Sequence, residues 1–274
     1  MPRVRALVVF PFALFALIIL STVFANAQTP LSDRLQIAPP LIRSVDPPAA
    51  DATAEALEQR GDDLRKQKLY LDALDYYRAA VLKAPSSAAL YNKLGITELL
   101  LQRWREAKKD FERSIKCDRK FADAYNNLGV IFYVSKKYKK AISKYEKAIT
   151  LRDDAASYYS NMGAAYFAKK DFNHSVLAYS KALQLDPDVF ERTSHAGISA
   201  QMSKPEDRAH YDYVVAKLYA KMGITERSLL YLRKAMEEGY KDINNVYKDT
   251  EFVTLRKDPR FTELMSARPM AIPD

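Results

Sequence analysis

Polar side chains able to recognise a partner recur in this 274-residue chain at one fixed interval. Gln59, Lys93, Asn127 and Asn161 stand 34 residues apart, and beside them runs a second column of Glu58, Asn92, Asn126 and Ser160. An amide both donates and accepts hydrogen bonds, so a column of amides suits the repeating N–H and C=O groups of an extended peptide. A third column, Arg65, Leu99, Tyr133 and Phe167, ends in aromatics, which offer large contact area with few rotamers to freeze. The residue types that carry catalysis are scattered by comparison. His174, His195 and His210 are not grouped with Cys or carboxylates at ligand spacing, and no glycine falls in a phosphate loop or a nucleophile elbow. No cofactor and no metal is implied, and the chain reads as a binder, not an enzyme.

The elements that must position these columns follow from the glycines. Gly61, Gly95, Gly129, Gly163 and Gly197 recur every 34 residues, while Gly223 and Gly239 fall where later helices end. Other columns keep the register: Tyr70, Trp104, Tyr138 and Phe172; then Ala73, Ala107, Ala141 and Ser175; then Tyr77, Phe111, Tyr145 and Tyr179; then Ala80, Ser114, Ala148 and Ala182. A period of this length denotes stacked helix pairs, none of which buries its apolar face alone. Pairs are predicted at 52–66 with 70–84, 87–101 with 104–117, 121–135 with 138–151, and 155–168 with 172–185. Glycine inside a helix costs about 1 kcal/mol relative to alanine, so its regular return is read as two backbones approaching too closely for a side chain. Pro85 and Pro187 stop the first and fourth pairs, whereas Arg119 and Asp153 replace them in the middle two, whose ends are expected to be softer.

These columns closely resemble the tetratricopeptide repeat pattern over about Asp51 to Pro187, with Tyr91, Leu94, Gly95, Ala107 and Phe111 showing it in the second repeat. The resemblance implies an all-α solenoid of antiparallel helix pairs forming a right-handed superhelix, with first helices lining a concave groove. On that basis Asn92, Lys93, Asn126, Asn127, Tyr133, Ser160, Asn161 and Phe167 are the candidate partner-binding residues. Asn127 and Asn161 look like two rungs of the asparagine ladder that some family members lay along a peptide; the alternative is that they pack or cap locally. The carboxylate clamp of chaperone-binding members needs Lys and Asn on the first repeat, where this chain has Glu58 and Asp62, charges that would repel a C-terminal carboxylate.

The two ends differ from this regular middle. Arg3 and Arg5, an apolar run from Ala6 to Leu20, and Ala25-Asn26-Ala27 read as a secretory signal over 1–27; the alternative is an uncleaved anchor, and both place the repeats outside the cytoplasm. Residues 28–50, with five prolines, read as an extended linker. Beyond Pro187 one register continues through Gly197, Ala209, Tyr213 and Ala216. A second fits better, because Ser203 and Glu206 form a capping box around Pro205 and the helices stop at Gly223 and Gly239. This makes 204–239 a displaced fifth repeat, so that the repeat domain covers 51–240. The tail, 241–274, carries Phe252, Leu255, Phe261 and Leu264 around Asp258-Pro259 and is expected to cap the stack with two short helices, leaving 267–274 disordered.

Net charge is +9, concentrated in the second and third repeats. Arg103, Arg105, Lys108, Lys109 and Arg113 alternate with Glu106, Asp110 and Glu112, while Lys136, Lys137, Lys139, Lys140, Lys144 and Lys147 have Glu146 among them. Such runs read as a solvated outer face; the alternative is contact with an anionic membrane or cell-wall surface. Nucleic acid is not expected, because the chain carries no reading motif for it. The lone Cys117 is expected to be a small buried thiol at a helix end, and the Asn173-His174-Ser175 sequon is read as incidental. The chain is thus expected to be an exported bacterial adaptor, periplasmic or extracellular, that binds a protein partner.

Overall fold

The computed structural model describes residues 43–190 and 205–267. The signal segment, most of the proline-rich stretch, Gly197, Ser203 and the last residues of the tail lie outside the described residues. The chain divides into two units, Met1–Arg43 and Ser44–Asp274, and everything below concerns the second.

That unit is a succession of helix pairs: α1 (Ala54–Lys66) with α2 (Tyr70–Lys83), α3 (Ala88–Leu100) with α4 (Trp104–Cys117), α5 (Ala122–Val134) with α6 (Tyr138–Leu151), and α7 (Ala156–Ala168) with α8 (Phe172–Leu185). A fifth pair, α9 (Pro205–Lys221) and α10 (Thr225–Glu237), follows, then three 3-10 turns and α11 (Pro259–Ala267). Among the described residues there is no strand, and no helix is long and apolar enough to cross a membrane.

The repeated columns meet inside each hairpin. Tyr77, Phe111, Tyr145 and Tyr179 are buried, as are Ala73, Ala107, Ala141 and Ser175. The glycines are needed, but the partner is a ring and not a backbone. A Cβ on Gly61 would stand 2.6 Å from the Tyr77 ring, on Gly95 2.5 Å from Phe111, on Gly129 2.5 Å from Tyr145 and on Gly163 2.6 Å from Tyr179. Ser175 Oγ then donates to Gly163 O at 2.9 Å, locking the two helices of the fourth pair.

The same crossing exists in the fifth pair with other residues. Ser228 Oγ donates to Ala216 O at 2.9 Å, so Ser228 stands as Ser175 does and Ala216 takes the glycine's place. Four residues on, Leu232 replaces the Tyr179 ring, which leaves room for the methyl group of Ala216. Both Ala216 and Leu232 are fully buried.

Every first helix ends in the same tight turn. In the first pair Lys68 N–H bonds to Arg65 O at 3.0 Å and Leu69 N–H to Leu64 O at 2.9 Å, a Schellman arrangement that occupies the last carbonyls. It demands a left-handed residue, found at Lys68, Gln102, Lys136, Lys170 and Gly223, with Gly239 doing the same after α10. The second helices of the four regular pairs end differently, and here the expectation of softer ends for the middle pairs fails. Ala84, Asp118, Arg152 and Asp186 each donate to the residue four back at 2.9 Å whether or not proline follows, so packing and not proline sets the boundary.

Both ends of the stack are covered. Ser44 N–H and Val45 N–H donate to Asp72 Oδ1 at 2.9 and 3.3 Å, Tyr76 OH donates to Asp46 O and Lys83 to Ala50 O, so the last residues of the proline-rich stretch lie on α2 as part of the repeat unit. At the other end Val246, Phe252, Leu255, Phe261 and Leu264 are buried. The segment before Pro259 is not one short helix but three 3-10 turns, Ile243–Tyr247, Thr250–Phe252 and Leu255–Lys257, each too short to close an α-helical turn ladder.

Candidate functional site

The amide columns of the first helices meet one another before they meet solvent. Asn127 Nδ2 donates to Asn92 Oδ1 at 2.9 Å, and Asn161 Nδ2 to Asn126 Oδ1 at 3.0 Å, each across 35 residues. Asn126 Nδ2 donates in turn to Asn127 Oδ1 at 3.1 Å. All four residues are buried. The two columns therefore pair diagonally, one repeat's Asn with the preceding residue of the repeat before it, and form a continuous amide seam through α3, α5 and α7. Each such bond contributes about 1 kcal/mol net, and losing one partner strands a buried amide at about 1–3 kcal/mol.

At the first step of the stack the same diagonal is ionic. Lys93 Nζ lies 2.6 Å from Glu58 Oε1 and 2.5 Å from Asp62 Oδ2. Tyr77 OH donates to the other Asp62 oxygen at 2.7 Å. Burial works against ionisation of Asp62, but the bonds from Lys93 and Tyr77 and the charges of Lys93 and Arg65 outweigh it and hold its carboxyl below the usual value. At the last step the charges are reversed: Asp249 Oδ2 takes a bond from Tyr213 OH at 2.8 Å and an ion pair from Lys217 Nζ at 3.0 Å. Tyr213 and Lys217 are four residues apart on α9, as Glu58 and Asp62 are on α1. The acidic turn at Asp249 thus takes the place of a sixth repeat.

The expected aromatic rungs are also inside. Tyr133 is 7% exposed and Phe167 1%. Tyr133 packs on Tyr138 with ring centroids 5.5 Å apart, and Phe167 on Phe172 and His210 at 5.1 and 5.2 Å. Of the eight candidate residues, only Lys93 and Ser160 keep partial exposure, and Lys93 is already paired. These side chains build the interior of the stack. The hint available in sequence was the opposite charge of Lys93 and Glu58, offset by one residue from the repeat period.

Two further expectations are corrected. Cys117 is exposed, because it lies at the end of α4, beyond Ser114 and Ile115, the last residues of that helix to pack inward. Asp110, read with the solvated outer face, is only 9% exposed and faces α3 from α4. Burial, aided by the charge of Glu98 and opposed by Arg113 and Arg78, pushes its carboxyl up to about 6. The lysines of the third repeat do face water. Lys136, Lys137, Lys139, Lys140 and Lys147 are exposed, and neither they nor Lys144 make an ion pair among the described residues. In the second repeat, by contrast, Lys108 pairs with Glu112 at 2.9 Å and Arg113 with Asp110 at 3.6 Å. No group of three or more metal-binding side chains occurs among the described residues.

Comparison with known proteins agrees with this geometry. Tetratricopeptide repeat family profiles match residues 58–107, 131–170 and 156–189. DnaJ homolog subfamily C member 7 of Mus musculus is 32% identical over 72 residues, and that of Homo sapiens 31% over 77 residues. These stretches cover 26% and 28% of this chain but only 15% and 16% of the relatives. Among solved structures, pilF of Pseudomonas aeruginosa covers 80% of this chain and 99% of its own at 17% identity and a TM-score of 0.53, a likeness of fold. A MamA structure matches 51% of this chain and 81% of its own at 27% identity and a TM-score of 0.45.

Proposed function

From a chain that is a member of the tetratricopeptide repeat family, and so a helical protein-interaction scaffold, we propose that it works outside the cytoplasm and holds an acidic protein partner on the second-helix face of its third repeat. The observation that carries this reading is the contrast between the two faces. The groove amides Asn92, Asn126, Asn127 and Asn161 are bonded to one another, whereas the lysines on and before α6 have no carboxylate partner among the described residues. Lys140, Lys144 and Lys147 follow helical spacing, so they form one stripe on α6, with Lys136, Lys137 and Lys139 at its start. An unpaired stripe of one sign steers and orients a partner of the opposite sign.

A second reading uses the same stripe on an anionic membrane leaflet or cell-wall polymer, where each lysine contributes about 1 kcal/mol near the surface. A peptide in the concave groove is the third; it would be met there by Lys93 and Ser160. The location rests on the charged start, the apolar run and the A-x-A site of 1–27.

One experiment separates these. Cross-linked capture from an envelope fraction would be compared for the native chain, a Lys136→Glu, Lys137→Glu, Lys139→Glu, Lys140→Glu variant, and Lys93→Ala, alongside binding to vesicles with and without anionic lipid. Capture abolished by the charge reversal, with no vesicle binding, supports the proposed face. Capture that survives it but falls with Lys93→Ala points to the groove, and vesicle binding that tracks anionic lipid points to the membrane. A mature chain found in the cytoplasmic fraction would contradict the location.

A further inference from the structure

The second repeat breaks the pattern of its neighbours at two buried positions that face each other. Glu98 stands on α3 where the next two repeats have Phe132 and Tyr166, and Asp110 stands on α4 where they have Lys144 and Ala178. Both carboxylates line a cavity of about 430 Å³ between α2, α3 and α4, and at position 98 the acid stands where the next two repeats have a bulkier aromatic ring. Its walls include Val81, Leu82, Tyr91 and Leu94, and Leu82 stands 83% exposed at the rim.

Glu106 and Lys109 also line this cavity, and its two buried carboxylates are unequally matched. Glu98 takes Arg78 at 2.7 Å and Arg103 at 3.4 Å, so its charge is answered from two sides. The only ion pair of Asp110 among the described residues is with Arg113, at 3.6 Å, and the Arg113 side chain is 63% exposed. That guanidinium also lies 5.8 Å from the centre of the Tyr91 ring, so it already shows how a cation sits here: over an aromatic face, beside a carboxylate. A long cationic side chain can lay its alkyl stem on apolar walls while its head meets the carboxylate.

We propose that this cavity is a receptor for the side chain of a lysine or arginine presented by a protein partner, with Asp110 as counter-charge, Tyr91 beneath the cation, and Leu82 and Leu94 along its stem. The head would replace the loosely held Arg113, which swings outward to solvent. The proposal rests on the reading of the chain as a protein-binding scaffold, but it concerns a different surface from the lysine stripe of α6. Its test needs no partner.

The isotope-labelled chain would be titrated with N-acetyl-lysine amide and, in parallel, with N-acetyl-norleucine amide, which keeps the stem and lacks the charge. Saturable shifts at the backbone amides of Tyr91, Leu94 and Asp110 are expected with the lysine probe and not with norleucine. Asp110→Asn, equal in size to the native residue, should weaken the lysine probe about tenfold or more, the effect of losing a charge-assisted bond. Arg113→Gln removes an exposed competitor without disturbing the core and should tighten binding. Absence of saturable shifts, equal response to norleucine, undiminished affinity in Asp110→Asn, or no gain in Arg113→Gln would each overturn the proposal. None of these results bears on capture through α6, which the charge-reversal variant reports separately.

Discussion

The four regular pairs and the fifth pair reach the same crossing by different chemistry. In the regular pairs a glycine lies under an aromatic ring that a Cβ would overlap, at 2.5 Å in the case of Gly129 and Tyr145. In the fifth pair Ser228 fixes the same register, but Ala216 takes the glycine's place and Leu232 the ring's. The glycine is therefore a consequence of the ring. Where a branched aliphatic side chain stands in for the flat ring, the helix keeps alanine and its better propensity.

Gly129→Ala should destabilise the stack by about 1–3 kcal/mol in urea unfolding, since the Tyr145 ring is fully buried and cannot retreat. Joining it to Tyr145→Leu, the combination found in the fifth pair, should cost less than the sum of the single changes by about 1 kcal/mol or more. The Tyr145 hydroxyl is buried with no partner among the described residues, so leucine forfeits no hydrogen bond to them. Additive costs would show that the ring does not dictate the glycine.

The regular pairs and the fifth pair also differ in charge. Four residues before the small position the regular pairs carry Leu57, Tyr91, Tyr125 and Tyr159, but the fifth carries the buried Asp212. Burial pushes its carboxyl up to about 7, with Glu238 adding to the shift and Lys234 and Arg208 opposing it. The fold holds this proton more tightly than the unfolded chain, whose carboxyl titrates near 3.8, so the stability from Asp212 is full below that value and lost as pH rises through about 7. Asp212→Asn should raise the melting temperature by about 2–4 °C above pH 7 and leave it unchanged near pH 4. A gain that is the same at both pH values would contradict the assignment.

The helices of the four regular pairs were legible in the sequence to within two residues, because a 34-residue period fixes where each of those hairpins must turn. What a period does not contain is the identity of the atom across the gap. Gly129 was legible as a close approach, yet the Tyr145 ring that requires it sits in another column. Asn127 and Asn92 were legible as members of two columns, but their bond runs diagonally between them, across 35 residues, and no single column displays it. Asp110 and Cys117 show the same limit from the other side. Local charge alternation placed Asp110 on the solvated face, although its helix turns that position toward α3. The usual burial of a free thiol placed Cys117 inward, although the packing of α4 ends at Ile115.

The amide seam commits the polar columns to holding repeats together and so leaves recognition to other faces. A double-mutant cycle on Asn92 and Asn127, each changed to alanine and measured by denaturant unfolding, tests it. Each single change should cost about 1–3 kcal/mol, and the pair should cost less than their sum by about 1 kcal/mol, because removing both amides strands neither. Costs that simply add, with helicity intact, would show that the two side chains act apart, and the columns would again be free to face a peptide.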